Sequence, residues 1–151
     1  MDQAAPIVVW FADDAEIAQI GEGLRDRTLP KARWTHAAHF AAAAWILLRR
    51  PQLDPFREMP GLIRAYNLTT GVANTDTEGY HQTITQASLR AAKAFLEGLP
   101  PDTPLYQAVN ALLDSPLGRR DWLLEYWSRD ALFSVSARRG WLEPDLRPLP
   151  F

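Results

Sequence analysis

Three histidines hold most of the acid–base and metal-ligating capacity of this chain: His36 and His39, three residues apart, and His81. Imidazole titrates near neutral pH, and its neutral form is a common ligand for zinc, nickel and iron. Histidines at i and i+3 share a helix face, as the Glu-x-x-His elements of di-iron bundles do. His36, His39 and His81 together would make a three-histidine site for such a divalent metal, with positions left open for water or substrate. Metal-bound water would then act as nucleophile or base in a hydrolysis. Without metal, His81 is the candidate general base. Against metal, a helix N-terminus repels a cation, and no carboxylate is committed to the cluster. Glu78 and His81 spell Glu-x-x-His, but a capping role already accounts for Glu78.

The same residues fit two further readings. One is a pocket for a small organic ligand, walled by Trp34, Tyr66 and Tyr80 and lined by Thr35, His36, His39, Asn67, Asn74 and His81. The other is a buried polar network in a non-catalytic domain that acts through protein partners. There each ring nitrogen bonds to Thr35, Tyr66, Asn67, Asn74, Thr83 or Thr85, because buried polar groups need partners. Trp45, Trp122 and Trp127 read as core residues.

Composition removes several other chemistries. The chain has no cysteine, so disulfides, thiolate zinc sites and cysteine nucleophiles are excluded. It contains no G-x-S-x-G elbow, Walker loop, G-x-G-x-x-G or H-E-x-x-H. A net charge of −2, with the pairs Arg49-Arg50, Arg119-Arg120 and Arg138-Arg139 dispersed, predicts no nucleic-acid partner. No basic-then-apolar leader opens the sequence, and Ala37 to Leu48 is too short to span a bilayer. The expectation is a cytoplasmic protein without a membrane partner.

The elements that must position the histidines are helical. With 151 residues, 47% of them hydrophobic, the chain predicts one all-α domain of about six or seven helices. Residues 1–12 read as an extended lead-in whose aromatics pack on the core. Asp13 caps a first helix to about Arg27, which Gly21 and Gly23 weaken. Thr35 caps the most apolar helix, to Arg50, which should be central. Asp54-Pro55 starts another, expected to break at Pro60 and resume to about Thr70, where Gly71 ends it. Thr75 and Glu78 match a capping box that would begin a helix at residue 76. Thr103-Pro104 and Ser115-Pro116 open two more, and Ser128 one from Arg129 to Arg139. The proline-rich tail, residues 141–151, packs on the surface.

Order and caps make a geometric argument. Successive helices with short connections tend to run antiparallel. The helices at 35–50 and 76–97 are then parallel, and their first turns bring His36, His39 and His81 to one end of the bundle. The C-terminal end of the intervening piece delivers Tyr66 and Asn67 to the same level.

A resemblance lies on the same residues. Trp34-Thr35-His36-x-x-His39, Tyr66-Asn67, Asn74-Thr75 and Gly79-Tyr80-His81-x-Thr83 resemble the pattern of a family of small all-helical bacterial proteins. The ending Trp127-Ser128, Ala137-Arg138-Arg139-Gly140-Trp141 and Pro144-Asp145-Leu146 is similar to the same family, so the likeness runs from about residue 29 onward. It implies a fold and a site location, and no reaction. In that family the residue after the Gly-Tyr-His histidine is usually glutamate. Here it is Gln82, which removes a possible acid. A weaker likeness, of site type alone, is to the DinB/YfiT-type three-histidine bundles. Those place H-x-x-x-H late in the chain and the single histidine early, the reverse of the order here.

Overall fold

Short polar side chains set most of the helix beginnings. In the computed structural model, which describes residues 10–151, seven α-helices and three short 3-10 turns follow one another, with no strand among the described residues. The helices are α1 (Asp14–Asp26), α2 (His36–Arg49), α3 (Pro55–Thr69), α4 (Gln82–Glu97), α5 (Leu105–Asp114), α6 (Arg129–Leu132) and α7 (Val135–Arg139). Asp13, Thr35, Asp54, Ser128 and Ser134 each accept a backbone N–H from the first turn that follows them. Pro104, ahead of α5, has no side chain to offer. There Asp14 of α1 supplies the acceptor, taking the Tyr106 N–H at 2.8 Å.

The apolar α2 is the centre of the molecule, packed on α1, α3, α4 and α5. Ala41, Ala42 and Ala44 have no exposed surface. Small residues let the neighbours come close. A Cβ on Gly21 would stand 2.2 Å from Trp45 Cε3, so the glycine that weakens α1 as a helix is what seats it against α2. Residues 1–9 of the expected lead-in lie outside the described residues. Of its aromatics, Phe11 is buried and Trp10 is 40% exposed. The Phe11 backbone is held on both sides by Asn110, whose amide accepts its N–H and donates to its carbonyl.

Three expected elements differ. Helix α3 does not break at Pro60. Proline has no N–H for the carbonyl of Phe56 one turn back, and the side-chain amide of Gln86 donates to that oxygen instead, at 3.0 Å. The long helix begins at Gln82 and not at residue 76. Thr75 and Glu78 close a turn through the Thr75 N–H and the Glu78 carbonyl, and Gly79, at φ +80°, reverses the chain. Its Cβ would lie 2.3 Å from the Ala73 carbonyl, so both conformation and space call for glycine.

Finally, the C-terminal third is less regular than its periodicity suggests. Ser115-Pro116 opens a 3-10 turn (Pro116–Gly118), and Trp122–Glu125 is another. The last helix is split in two by Ser134, which caps α7. The tail does pack. The Leu146 N–H donates to the Tyr126 carbonyl, and Phe151 meets Trp122 edge-on, while the Leu146 side chain stays 57% exposed.

Candidate functional site

Two of the three histidines open on a cavity. Early turns of α2 and α4, the middle of α3 and the segment 120–133 enclose a space of about 460 Å³. His36, His39, Phe40 and Ala43 line it from α2, Met59 and Ile63 from α3, and Ile84, Thr85, Ser88 and Leu89 from α4. Trp122, Leu123, Leu124, Leu132 and Phe133 close the far side, with Arg120, Asp121 and Arg129 also on the lining. Most of this surface is apolar. The Trp122 indole N–H, in a residue of this wall, is buried without a partner among the described residues.

Each of the two rings is held by one nitrogen. His39 Nδ1 lies 2.7 Å from the carbonyl of Thr35, and His36 Nε2 lies 3.1 Å from that of Leu117. A carbonyl only accepts, so these nitrogens carry the protons. His39 Nε2 and His36 Nδ1 are thereby acceptors, with no partner among the described residues. Burial is the largest influence on both rings and lowers both pKa values from the ordinary 6.5, against the raising effect of the carbonyl bonds. Nearby Arg120 lowers His36 further. His39 is an exposed residue that lines the concave wall of the cavity; water reaching it moderates the shift and leaves its direction. Trp34 stacks on His39 at 3.8 Å between ring centroids, and Thr35 caps the helix that carries both histidines.

His81 does something else. Its Nδ1 accepts the Ile84 N–H at 3.1 Å, capping α4, and its Nε2 donates to the Leu132 carbonyl at 2.7 Å. Both nitrogens are committed, so no lone pair is left for a metal or a proton transfer. The ring does not line the cavity; Leu132, a residue of the cavity wall, is its partner. Among the described residues no three His, Asp or Glu side chains stand where they could hold a metal ion. The expected centre of His36, His39 and His81 is therefore not formed. The cause is the later helix start, which makes His81 the N-cap of α4 and folds its ring back onto the helix.

The remaining motif residues build a clasp. Asn74 Oδ1 accepts from Asn67 Nδ2 and from the Tyr80 N–H, both at 3.0 Å, while its Nδ2 donates to the Arg64 carbonyl. Tyr66 is fully buried and donates to the Leu29 carbonyl. The Arg64 guanidinium lies 4.4 Å over the Tyr80 ring, and the Tyr80 hydroxyl bonds to Gln82. Arg138 donates to the carbonyls of Gly79 and Tyr80. Buried Thr83 donates to the Gly140 carbonyl and accepts the Leu142 N–H. Of the residues expected to bind a ligand, then, His36 and His39 reach the cavity, and Trp34 and Thr35 stand behind them. Asn67, Asn74, Tyr80 and His81 join the turn before α4 to α3 and to the C-terminal segment, and Tyr66 ties α3 to the connector that follows α1.

Sequence reasoning named Thr85 only as a partner for a histidine ring, and it did not find Ser88, Arg120 or Arg129. Thr85 and Ser88 left a signal, as polar interruptions beside the apolar face of α4. The arginines sit in irregular chain, where no periodicity places them.

No family model matches the chain, and no solved structure matches it. Among curated proteins, it is similar to a coproporphyrin III ferrochelatase from Propionibacterium freudenreichii subsp. freudenreichii, 34% identical over 101 residues. That stretch covers 63% of this chain but 28% of the relative, so the chain spans little more than a quarter of the length of the enzyme it resembles.

Proposed function

We propose that this chain is a small-molecule-binding domain whose ligand occupies the cavity between α2, α3, α4 and the segment 120–133. The observation that carries the reading is the pairing of a largely apolar space of about 460 Å³ with two neutral imidazoles, each offering an unused acceptor nitrogen. Ligand sites are typically concave, mainly apolar and roughly 300–1,000 Å³, with a few polar groups that fix orientation. The ligand would lie with its apolar body against Phe40, Met59 and Leu89 and a hydrogen-bond donor toward His39 Nε2. The name of the curated relative makes coproporphyrin III one candidate occupant, and binding is the part of that name carried over. The proposal is one of binding, and it assigns no chemical step to the cavity. The fully bonded His81 supports the structural reading for that one histidine. No described helix is long and apolar enough to cross a membrane; a cysteine-free chain suits the reducing cytoplasm, where we place the protein.

The test is titration with Nile red, a neutral dye that brightens in apolar surroundings. The expected result is saturable binding at one dye per chain, lost in Ser88→Trp, which fills the cavity from its half-buried α4 wall. Circular dichroism and a thermal melt confirm that the variant folds. Absence of saturable binding, or binding unchanged in a folded Ser88→Trp, overturns the reading.

A further inference from the structure

Resting on that reading of the cavity, we infer that its ligand is a carboxylate: an apolar body whose anionic head is held by Arg120 and Arg129. Both arginines line the cavity, and both are exposed residues, which puts their charge at its mouth. Neither has a carboxylate within ion-pair distance among the described residues. By contrast, Arg49, Arg50, Lys93, Arg139 and Arg147 are each paired. Two guanidinium groups thus stand at the edge of a largely apolar space outside any ion pair among the described residues, with Asp121 the one acid on the lining.

The charge on the lining can be counted. Arg120 and Arg129 contribute two positive charges and Asp121 one negative, leaving +1. His36 and His39 add nothing near neutral pH, since burial favours their uncharged forms. A single net positive charge suits a monoanionic carboxylate better than a phosphate dianion. Guanidinium also matches the carboxylate geometrically, through two parallel N–H···O bonds. The apolar walls deeper in would reject a charged head, because an unpaired charge there is strongly disfavoured. The ligand's orientation follows: acid at the mouth, hydrocarbon or ring system inside. Phe133, 56% exposed and also on the lining, extends the apolar surface toward the entrance. An aliphatic acid meets this description directly; a porphyrin shares the carboxylate chemistry but carries several acid side chains, so the single net positive charge fits it less well.

The experiment compares an acid with its own ester. Pyrenedecanoic acid, its methyl ester and Nile red are titrated into the wild-type chain and into the Arg120→Gln/Arg129→Gln double variant. The acid should bind the wild type about tenfold or more tighter than the ester, as expected for a charge-assisted contact. In the double variant that preference should fall to near one. Competition by coproporphyrin III and by oleate then separates the sources, and displacement by either supports the inference. An acid-to-ester ratio near one in the wild type, or a ratio that survives the double substitution, overturns it while Nile red still binds. If Nile red also fails to bind, the cavity reading falls and takes this inference with it.

Discussion

His81 Nε2 donates to the carbonyl of Leu132 across 51 positions of sequence, at 2.7 Å, while the same ring caps α4. One imidazole therefore fixes the beginning of a central helix and the end of α6, and with it one wall of the cavity. That double duty settles the protonation pattern: Nε2 carries hydrogen, Nδ1 does not, and the ring is neutral. Burial lowers its pKa, opposed by the bond to Leu132, with Arg138 lowering it further.

His81→Ala removes both bonds. Loss of an N-cap typically costs about 0.5–2 kcal/mol, and a carbonyl that loses its partner adds roughly 1–3 kcal/mol. A destabilisation of about 1.5–5 kcal/mol is expected in a urea melt. His81→Asn keeps a good capping side chain and gives up only the reach to Leu132, so it should recover about half. Equal losses in both variants would show that the cap contributes nothing.

Stability should fall as the pH drops below about 6.5, and the sign follows from the same lowering. His36, His39 and His81 all have folded-state pKa values below the ordinary 6.5. Above that pH both folded and unfolded chains are neutral at these rings and nothing changes. Below it the unfolded chain takes up protons first, and the native state is progressively disfavoured until the folded-state values are passed. Asp145 works in a separate window: its two bonds from Ser128 lower its carboxyl, so its contribution is present above about pH 3.8 and lost in stronger acid. Melting temperatures between pH 7.5 and 5 should decline, and less steeply in His81→Asn than in the wild type. A flat profile over that range would contradict the assignment.

How far the sequence reached depended on whether a signal was local. Thr35 before an alanine run and Asp13 before a spaced set of isoleucines placed α1 and α2 correctly, because a cap and its helix lie within a few residues. The expectation that the first turns of α2 and α4 come to one level pointed toward one shared cavity, which the first halves of both helices line. The Thr75 and Glu78 signature misled because the same residue types close a tight turn when glycine follows, and Gly79 makes that turn. Six residues of offset moved His81 from a helix face to a cap. Similarly, Tyr66, Asn67, Asn74 and Tyr80 were grouped by type with a site they only support. Polar side chains that tie a turn to distant backbone look, in sequence, like polar side chains that line a pocket.

Glycine positions give a paired prediction. Gly21→Ala should destabilise, since the new Cβ meets the ring of buried Trp45 at 2.2 Å and the ring or its helix must shift; overpacking of this kind costs about 1–3 kcal/mol. Gly61, inside α3, has nothing within 4 Å of its would-be Cβ. Alanine there should stabilise by roughly 0.5–1 kcal/mol through helix propensity. Opposite signs from one chemical change, measured by denaturant midpoint, would confirm that close packing and not propensity decides the identity of Gly21.

The contact between Gln86 and the Phe56 carbonyl supports a further test, because it stands in for a hydrogen bond that Pro60 cannot make. In the wild type, Gln86→Leu strips the side-chain donor from that half-buried carbonyl and should cost about 1–2 kcal/mol. Pro60→Ala restores an N–H at the position one turn after Phe56, so the helix can satisfy the oxygen itself. In the Pro60→Ala background, Gln86→Leu should then cost a few tenths of a kcal/mol. A double-mutant cycle by urea denaturation reads the difference directly, and a coupling near zero would mean that α3 crosses Pro60 without help from α4.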